Sequence, residues 1–124
     1  MDPRARFLAP LAWMAVIFYF SSQSDPSPGI GNFGHIVAHF TEYFILTSLW
    51  AWALLPHLGL RALPVAWAIA VLYAISDEWH QSFVPDRDSD PVDVLVDSCG
   101  AAAAVAVSYL LIRRAALRRR PTSR

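Results

Sequence analysis

The sequence predicts an all-α membrane protein, a four-helix transmembrane bundle forming one domain over residues 1–124, with both termini in the cytoplasm. Three observations predict it. The first is composition: 56% of residues are hydrophobic and 16% are charged, against about 25% charged in an ordinary soluble domain. The second is the run from Cys99 to Ile112, which carries no charge and no polar face of the kind a soluble bundle helix turns to water. The third is charge segregation. Arg4 and Arg6 open the chain and Arg113, Arg114, Arg118, Arg119, Arg120 and Arg124 crowd its end, while the acids gather between the apolar runs.

The first helix, about residues 5–22, contains the apolar run Phe7 to Phe20 and ends in Ser21-Ser22-Gln23-Ser24. Pro10 falls in its first turns, where a missing donor costs least. A basic start and a short apolar core also describe a signal peptide, but no small-residue cleavage site follows and further apolar runs do. Asp25 to Phe33 reads as loop, broken by prolines, glycines and serines. The second helix covers 35–55, and Pro56 to Arg61 is a short connection. The third, 62–81, is apolar to Ile75 and then polar. Phe83 to Pro91 is loop, bounded by Pro85 and Pro91. The fourth covers 92–113, and an arginine-rich cytoplasmic tail, 113–124, follows. Crossing a bilayer takes about 20 helical residues. The second and fourth helices meet that outright; the first and third meet it when their polar ends reach the interface.

Orientation follows from the arginines. Four spans place both termini and the Arg61 connection on one face, with nine of the ten arginines and a single acid, Asp2. The other face holds Arg87 and the remaining acids. The positive-inside rule makes this a multi-pass protein of the cytoplasmic membrane, with the Asp25 loop and the Asp86–Asp90 loop outside. The C-terminal arginines then set topology and touch anionic lipid, so the bilayer is the expected partner and nucleic acid is not. The single cysteine, Cys99, excludes an internal disulfide framework and reads as a packing residue. Oligomeric state is not encoded legibly.

The organising stretch is Ile75 to Asp97, where Asp77, Glu78, Asp86, Asp88, Asp90, Asp93 and Asp97 make seven of the ten acids. At about 100° per residue, His35, His39, Glu42 and Leu46 form one stripe, and Asp93, Asp97, Gly100, Ala104 and Ser108 another. Asp77, His80 and Gln81 share a third face. The small residues of the Gly100 stripe let helices approach closely in lipid, so its carboxylates face the bundle interior, where intramembrane acids are found. Structural readings stand beside the functional ones. His39 and Glu42 make a satisfied structural pair; Asp93 is a cap or first-turn acid; Asp86, Asp88 and Asp90 are solvated loop; Trp13, Trp50, Trp52, Trp67 and Trp79 are interface anchors. Collectively these acids outnumber their cations near lipid depth, an excess that calls for protonation or a bound cation.

His39-Phe40-Thr41-Glu42-Tyr43-Phe44-Ile45-Leu46, the run Asp77 to Arg87 (D-E-W-H-Q-S-F-V-P-D-R) and Asp93 to Gly100 (D-V-L-V-D-S-C-G) resemble the VanZ-like family, as does Ser21 to Ser24. These are small multi-pass membrane proteins named for a teicoplanin-resistance determinant, and the resemblance covers about residues 10–112. Two positions depart from the pattern. Ile36 stands where many relatives have a lysine, removing a cation, and Pro85-Asp86-Arg87 stands where they have a P-G-R turn. The resemblance implies a membrane protein linked to glycopeptide resistance and supplies no reaction.

Two functions fit these residues. In one, an outward site binds or acts on a lipid-linked or cell-envelope anionic ligand. Its catalytic candidates are Asp77, Glu78, His80, Glu42 and His39, and Arg87, Gln81, Tyr43 and Ser22 hold the substrate. His39, Glu42, Asp77 and Asp97 offer mixed nitrogen and oxygen ligands to a divalent metal, zinc or manganese rather than calcium. In the other, the polar cluster ties the helices together and the protein is a non-catalytic scaffold or accessory partner of envelope enzymes. A proton or ion path is disfavoured, because the inner halves of the spans lack ionisable residues.

Overall fold

A computed structural model describes residues 1–24, 31–87 and 89–121. The expected loop residues 25–30, together with Asp88 and Arg124, lie outside the described residues. A 3-10 turn over Pro3–Phe7, opened by the Arg4 N–H donating to the Asp2 carboxylate at 2.9 Å, leads into α1 (Leu8–Ser21). There follow α2 (Gly31–Leu58), a 3-10 turn (Gly59–Arg61), α3 (Ala62–Gln81) and α4 (Pro91–Arg118). Among the described residues there is no strand.

Continuity corrects the expected count of four helices. Gly59 takes φ +58°, a left-handed conformation that glycine enters without penalty. The chain therefore turns at Gly59 and passes through three 3-10 residues into α3, with no coil residue between the two helices. α2 and α3 form one folded stretch, and the described backbone has three unbroken helical stretches rather than four. Two of them, Phe33–Gln81 and Pro91–Arg118, are long and apolar enough to cross a membrane. α1, with 14 residues, covers only about 21 Å at 1.5 Å per residue. Many large apolar side chains face outwards, among them Leu72, Ile75, Leu95, Leu110 and Leu111, which suits contact with lipid tails.

α2 is also longer than its breakers suggest. Gly31, Asn32 and Phe33, expected in the loop, are already helical, and Pro56, expected after the helix, lies inside it. A proline at 56 has no N–H for the carbonyl of residue 52. Here the Arg6 guanidinium donates to the Trp52 carbonyl at 3.2 Å, and its charge lies 4.8 Å from the Trp52 ring centre. A side chain from the N-terminal turn thus supplies the donor that proline removes.

Small residues set the packing distances. The buried face of α3 runs Ala62, Ala66, Ala70, Ala74 and continues into Asp77, Glu78 and Gln81. α2 and α4 lie parallel: His35 meets Asp93 and His39 meets Asp97, at the same sequence offset of 58. Their backbones come close at Gly100, where an added Cβ would stand 2.3 Å from the Phe40 carbonyl oxygen. Glycine is there because backbone occupies the space a side chain would take. Tyr43, Leu46, Ile17, Ala70, Ala74 and Ala101 fill the core.

Side-chain donors on other elements hold α1 by its backbone, and in one place α1 holds α2 the same way. Tyr73 Oη donates to the Met14 carbonyl (2.7 Å), and Arg87 Nη1 donates to those of Phe20 (2.7 Å) and Gln23 (2.9 Å). In return Trp13 Nε1 donates to the Glu42 carbonyl at 3.0 Å. Trp13 and Trp50 thus pack partly against the core, whereas Trp52, Trp67 and Trp79 are exposed. Cys99 is exposed on α4 and does not pack inside.

Candidate functional site

The polar ends of the helices meet at one end of the molecule. Parallel α2 and α4 start there, α1 and α3 finish there, and the Arg87 contacts and the His39–Asp97 pair tie them. The centre is His39, buried, whose Nδ1 lies 2.9 Å from Asp97 Oδ1. With Asp97 ionised and the imidazole neutral, this contact fixes the proton on Nδ1 and leaves the Nε2 lone pair turned to the other side. Asp93 Oδ2 is on that side, 3.9 Å from His39 Nε2 and 3.5 Å from His35 Nε2. The expected His39–Glu42 pair is therefore replaced by pairs running between α2 and α4. The cap of α4 is Asp90, which accepts from the Val92 N–H at 3.0 Å and lets Asp93 turn to the histidines.

Asp77 is the second buried carboxylate. Tyr43 Oη donates to its Oδ2 at 3.3 Å and Gln81 Nε2 stands 3.5 Å from the same oxygen. Ser21, from α1, is beside it, its buried hydroxyl lacking a hydrogen bond of good geometry. The Glu42 carboxylate lies within electrostatic reach of His39, Asp77 and Arg87, and Asp97 within reach of Asp77 and Glu42. Glu78 accepts from Ser89 Oγ at 2.7 Å. It borders a shallow groove of about 430 Å³, with Ile75, Trp79, Pro91 and Val94 forming apolar walls.

The structure thus gathers His39, Glu42, Tyr43, Asp77, Gln81 and Asp97 into one cluster, with Glu78 at its margin. Arg87 reaches the cluster by charge, although its Nη1 is engaged with the carbonyls of Phe20, in α1, and Gln23, just beyond it. Two candidates point elsewhere. The His80 ring stacks on Phe18, ring centres 4.7 Å apart and nearly parallel at 9°, and the Ser22 hydroxyl donates to the Phe18 carbonyl of its own helix at 2.7 Å.

Among the described residues, the ligand-type atoms within 4.8 Å of one another belong to His35, His39 and Asp93. Only His39 is shared with the set His39, Glu42, Asp77, Asp97 that the sequence suggested. The signal for the other two was present: 35/39 and 93/97 are both i, i+4 pairs, so matching helix faces could meet in register. Ser89 gave no comparable signal, and Ser21 only its place in the polar run Ser21 to Ser24.

Chemically, the cluster offers a histidine oriented by a carboxylate, further carboxylates at hand, and a tyrosine hydroxyl on one of them. Such a set can bind a cation or move a proton at His39 Nε2. No curated protein and no solved structure matches the chain. A model of the VanZ/LLP1 family matches residues 7–113. Spanning nearly the whole chain and all of the clustered side chains, that match establishes the chain as a member of the VanZ-like family.

Proposed function

We propose that this VanZ-like protein crosses the cytoplasmic membrane several times with both termini inside, and presents its polar cluster outwards to bind or act on a lipid-linked or cell-envelope anionic ligand. The observation that carries this is the burial of Asp77, Asp97 and His39 at the one end where three helices bring their ionisable groups together. Leaving such groups at lipid depth costs several kcal/mol unless they pair or hold a ligand. The apolar groove beside Glu78 would take a lipid chain while the headgroup meets the cluster. In this arrangement His39, held at Nδ1 by Asp97, turns Nε2 to the ligand side, where it takes up a proton or a cation. Asp77, with Tyr43 and Gln81, and Glu42 complete the polar lining, Glu78 meets the ligand at the groove, and Arg87 contributes positive charge. Glycopeptide resistance enters through family membership, since teicoplanin carries a lipid tail and targets envelope precursors outside the membrane.

The test is teicoplanin susceptibility of cells expressing wild type, His39→Ala and Asp77→Asn at equal membrane levels. A protective effect in wild type that falls to that of cells lacking the protein in both variants is the expected result. Full protection by variants that accumulate normally would sink the reading.

A second reading is favoured by one specific observation: the cluster's side chains largely satisfy one another, as in His39–Asp97, Tyr43–Asp77 and Glu78–Ser89. In this reading the protein is a scaffold for an envelope enzyme, and the cluster clamps the helices. Glu78→Gln separates the two. A scaffold loses stability and keeps its effect wherever the variant folds, whereas a site loses its effect at normal abundance.

A further inference from the structure

The space between His35, His39 and Asp93 is unlike a set of hydrogen bonds. At 3.5 and 3.9 Å, the Asp93 oxygen is too far from either imidazole nitrogen for a good N–H···O contact, which is about 2.7–3.2 Å. Those separations instead approach the distance between two ligands of one ion. Atoms bound to zinc at about 2.0–2.1 Å in tetrahedral array stand roughly 3.3 Å apart. All three ligand atoms lie within 4.8 Å of one another, and the His35 side chain is 46% exposed, which gives it freedom to rotate inwards and an ion a way in. The second independent feature is Asp97, buried behind His39 with its oxygen 2.9 Å from Nδ1. A carboxylate that holds one imidazole nitrogen while the other faces a candidate metal position is the usual outer partner of a metal-bound histidine.

We propose that His35 Nε2, His39 Nε2 and the Asp93 carboxylate bind one divalent ion of the zinc class, with Asp97 as the positioning residue behind His39. Two imidazoles and a carboxylate suit a borderline-soft ion. The charges of Asp93 and Asp97 together balance a doubly positive ion, which relieves part of the excess of acid. Three protein ligands leave a fourth position open. An anionic headgroup, phosphate or carboxylate, then reaches an acidic cluster by binding the ion. The inference rests on the reading of this end of the molecule as a ligand site, and it names how an anion is accepted there.

Purified protein in detergent, stripped by a chelator and dialysed against micromolar zinc, tests it by metal analysis. Wild type is expected to hold one zinc per chain, and His35→Ala and Asp93→Asn to lose it. Asp97→Asn is expected to keep the site with affinity weakened by about 10–100-fold, the usual effect of removing an outer partner. Cobalt(II) gives an independent signature, visible absorption in wild type that is absent from Asp93→Asn at unchanged helical content. Wild type without zinc, or ligand variants holding as much zinc as wild type, would overturn the proposal. The broader functional reading fails on a different result, full protection by His39→Ala, so the two failures are distinguishable.

Discussion

Gly100 and Gly59 are both glycines for reasons that differ, and substitution exposes the difference. An alanine at 100 drives its Cβ towards the Phe40 carbonyl at 2.3 Å, and a backbone oxygen inside a helix cannot step aside cheaply. Gly100→Ala should therefore cost about 1–3 kcal/mol, the usual range for overpacking, and lower the thermal unfolding midpoint in detergent. At Gly59 nothing stands within 4 Å of an added Cβ, but φ is +58°. Gly59→Ala should cost only about 1 kcal/mol of left-handed strain, measured in the same way. The buried pair gives a sharper residue-scale result. Asp97→Ala leaves His39 without its partner and should cost about 3 kcal/mol. A double-mutant cycle with His39→Ala should recover much of that loss, since neither group is then left alone.

Between elements, the contact of Arg6 with the Trp52 carbonyl bears on Pro56. If Arg6 replaces the donor that proline lacks, Arg6→Ala should destabilise by about 1 kcal/mol, a typical net hydrogen-bond contribution. In a Pro56→Ala background, where the substituted residue provides its own N–H, the same change should do much less. Chemical denaturation of the four proteins checks this. The boundaries of α2 were the least legible feature of the sequence for the same reason. Pro56, Gly31 and Asn32 are local breakers, and the contact that makes Pro56 tolerable comes from Arg6, far away in the chain. The Gly59 turn hid itself in a similar way, because a connection of three 3-10 residues reads as a break yet joins α2 to α3 without any coil residue.

For the molecule as a whole, helical class and apolar character were legible because they are carried by long uniform runs such as Cys99 to Ile112. The site was legible in part. Helix periodicity puts His35 with His39 and Asp93 with Asp97, but it cannot say which stripe faces which. Pairing His39 with Glu42 followed from nearness in sequence, whereas the fold joins it to Asp97 on another helix. His80 was lost from the cluster because Phe18, on α1, offers a ring to stack on. The proposed orientation makes its own prediction. Reporter domains fused to either terminus should be active only if cytoplasmic, and a reporter inserted after Asp86 only if exported.

The way α1 is anchored has a consequence for how the family can vary. Tyr73 and Arg87 grip it through carbonyl oxygens at Met14, Phe20 and Gln23, and every amino acid carries such an oxygen. Drift at those three positions leaves the grip intact, while loss of the tyrosine hydroxyl or the guanidinium does not. A saturation library should therefore be permissive at 14, 20 and 23 and restrictive at 73 and 87, an asymmetry between two surfaces that touch each other.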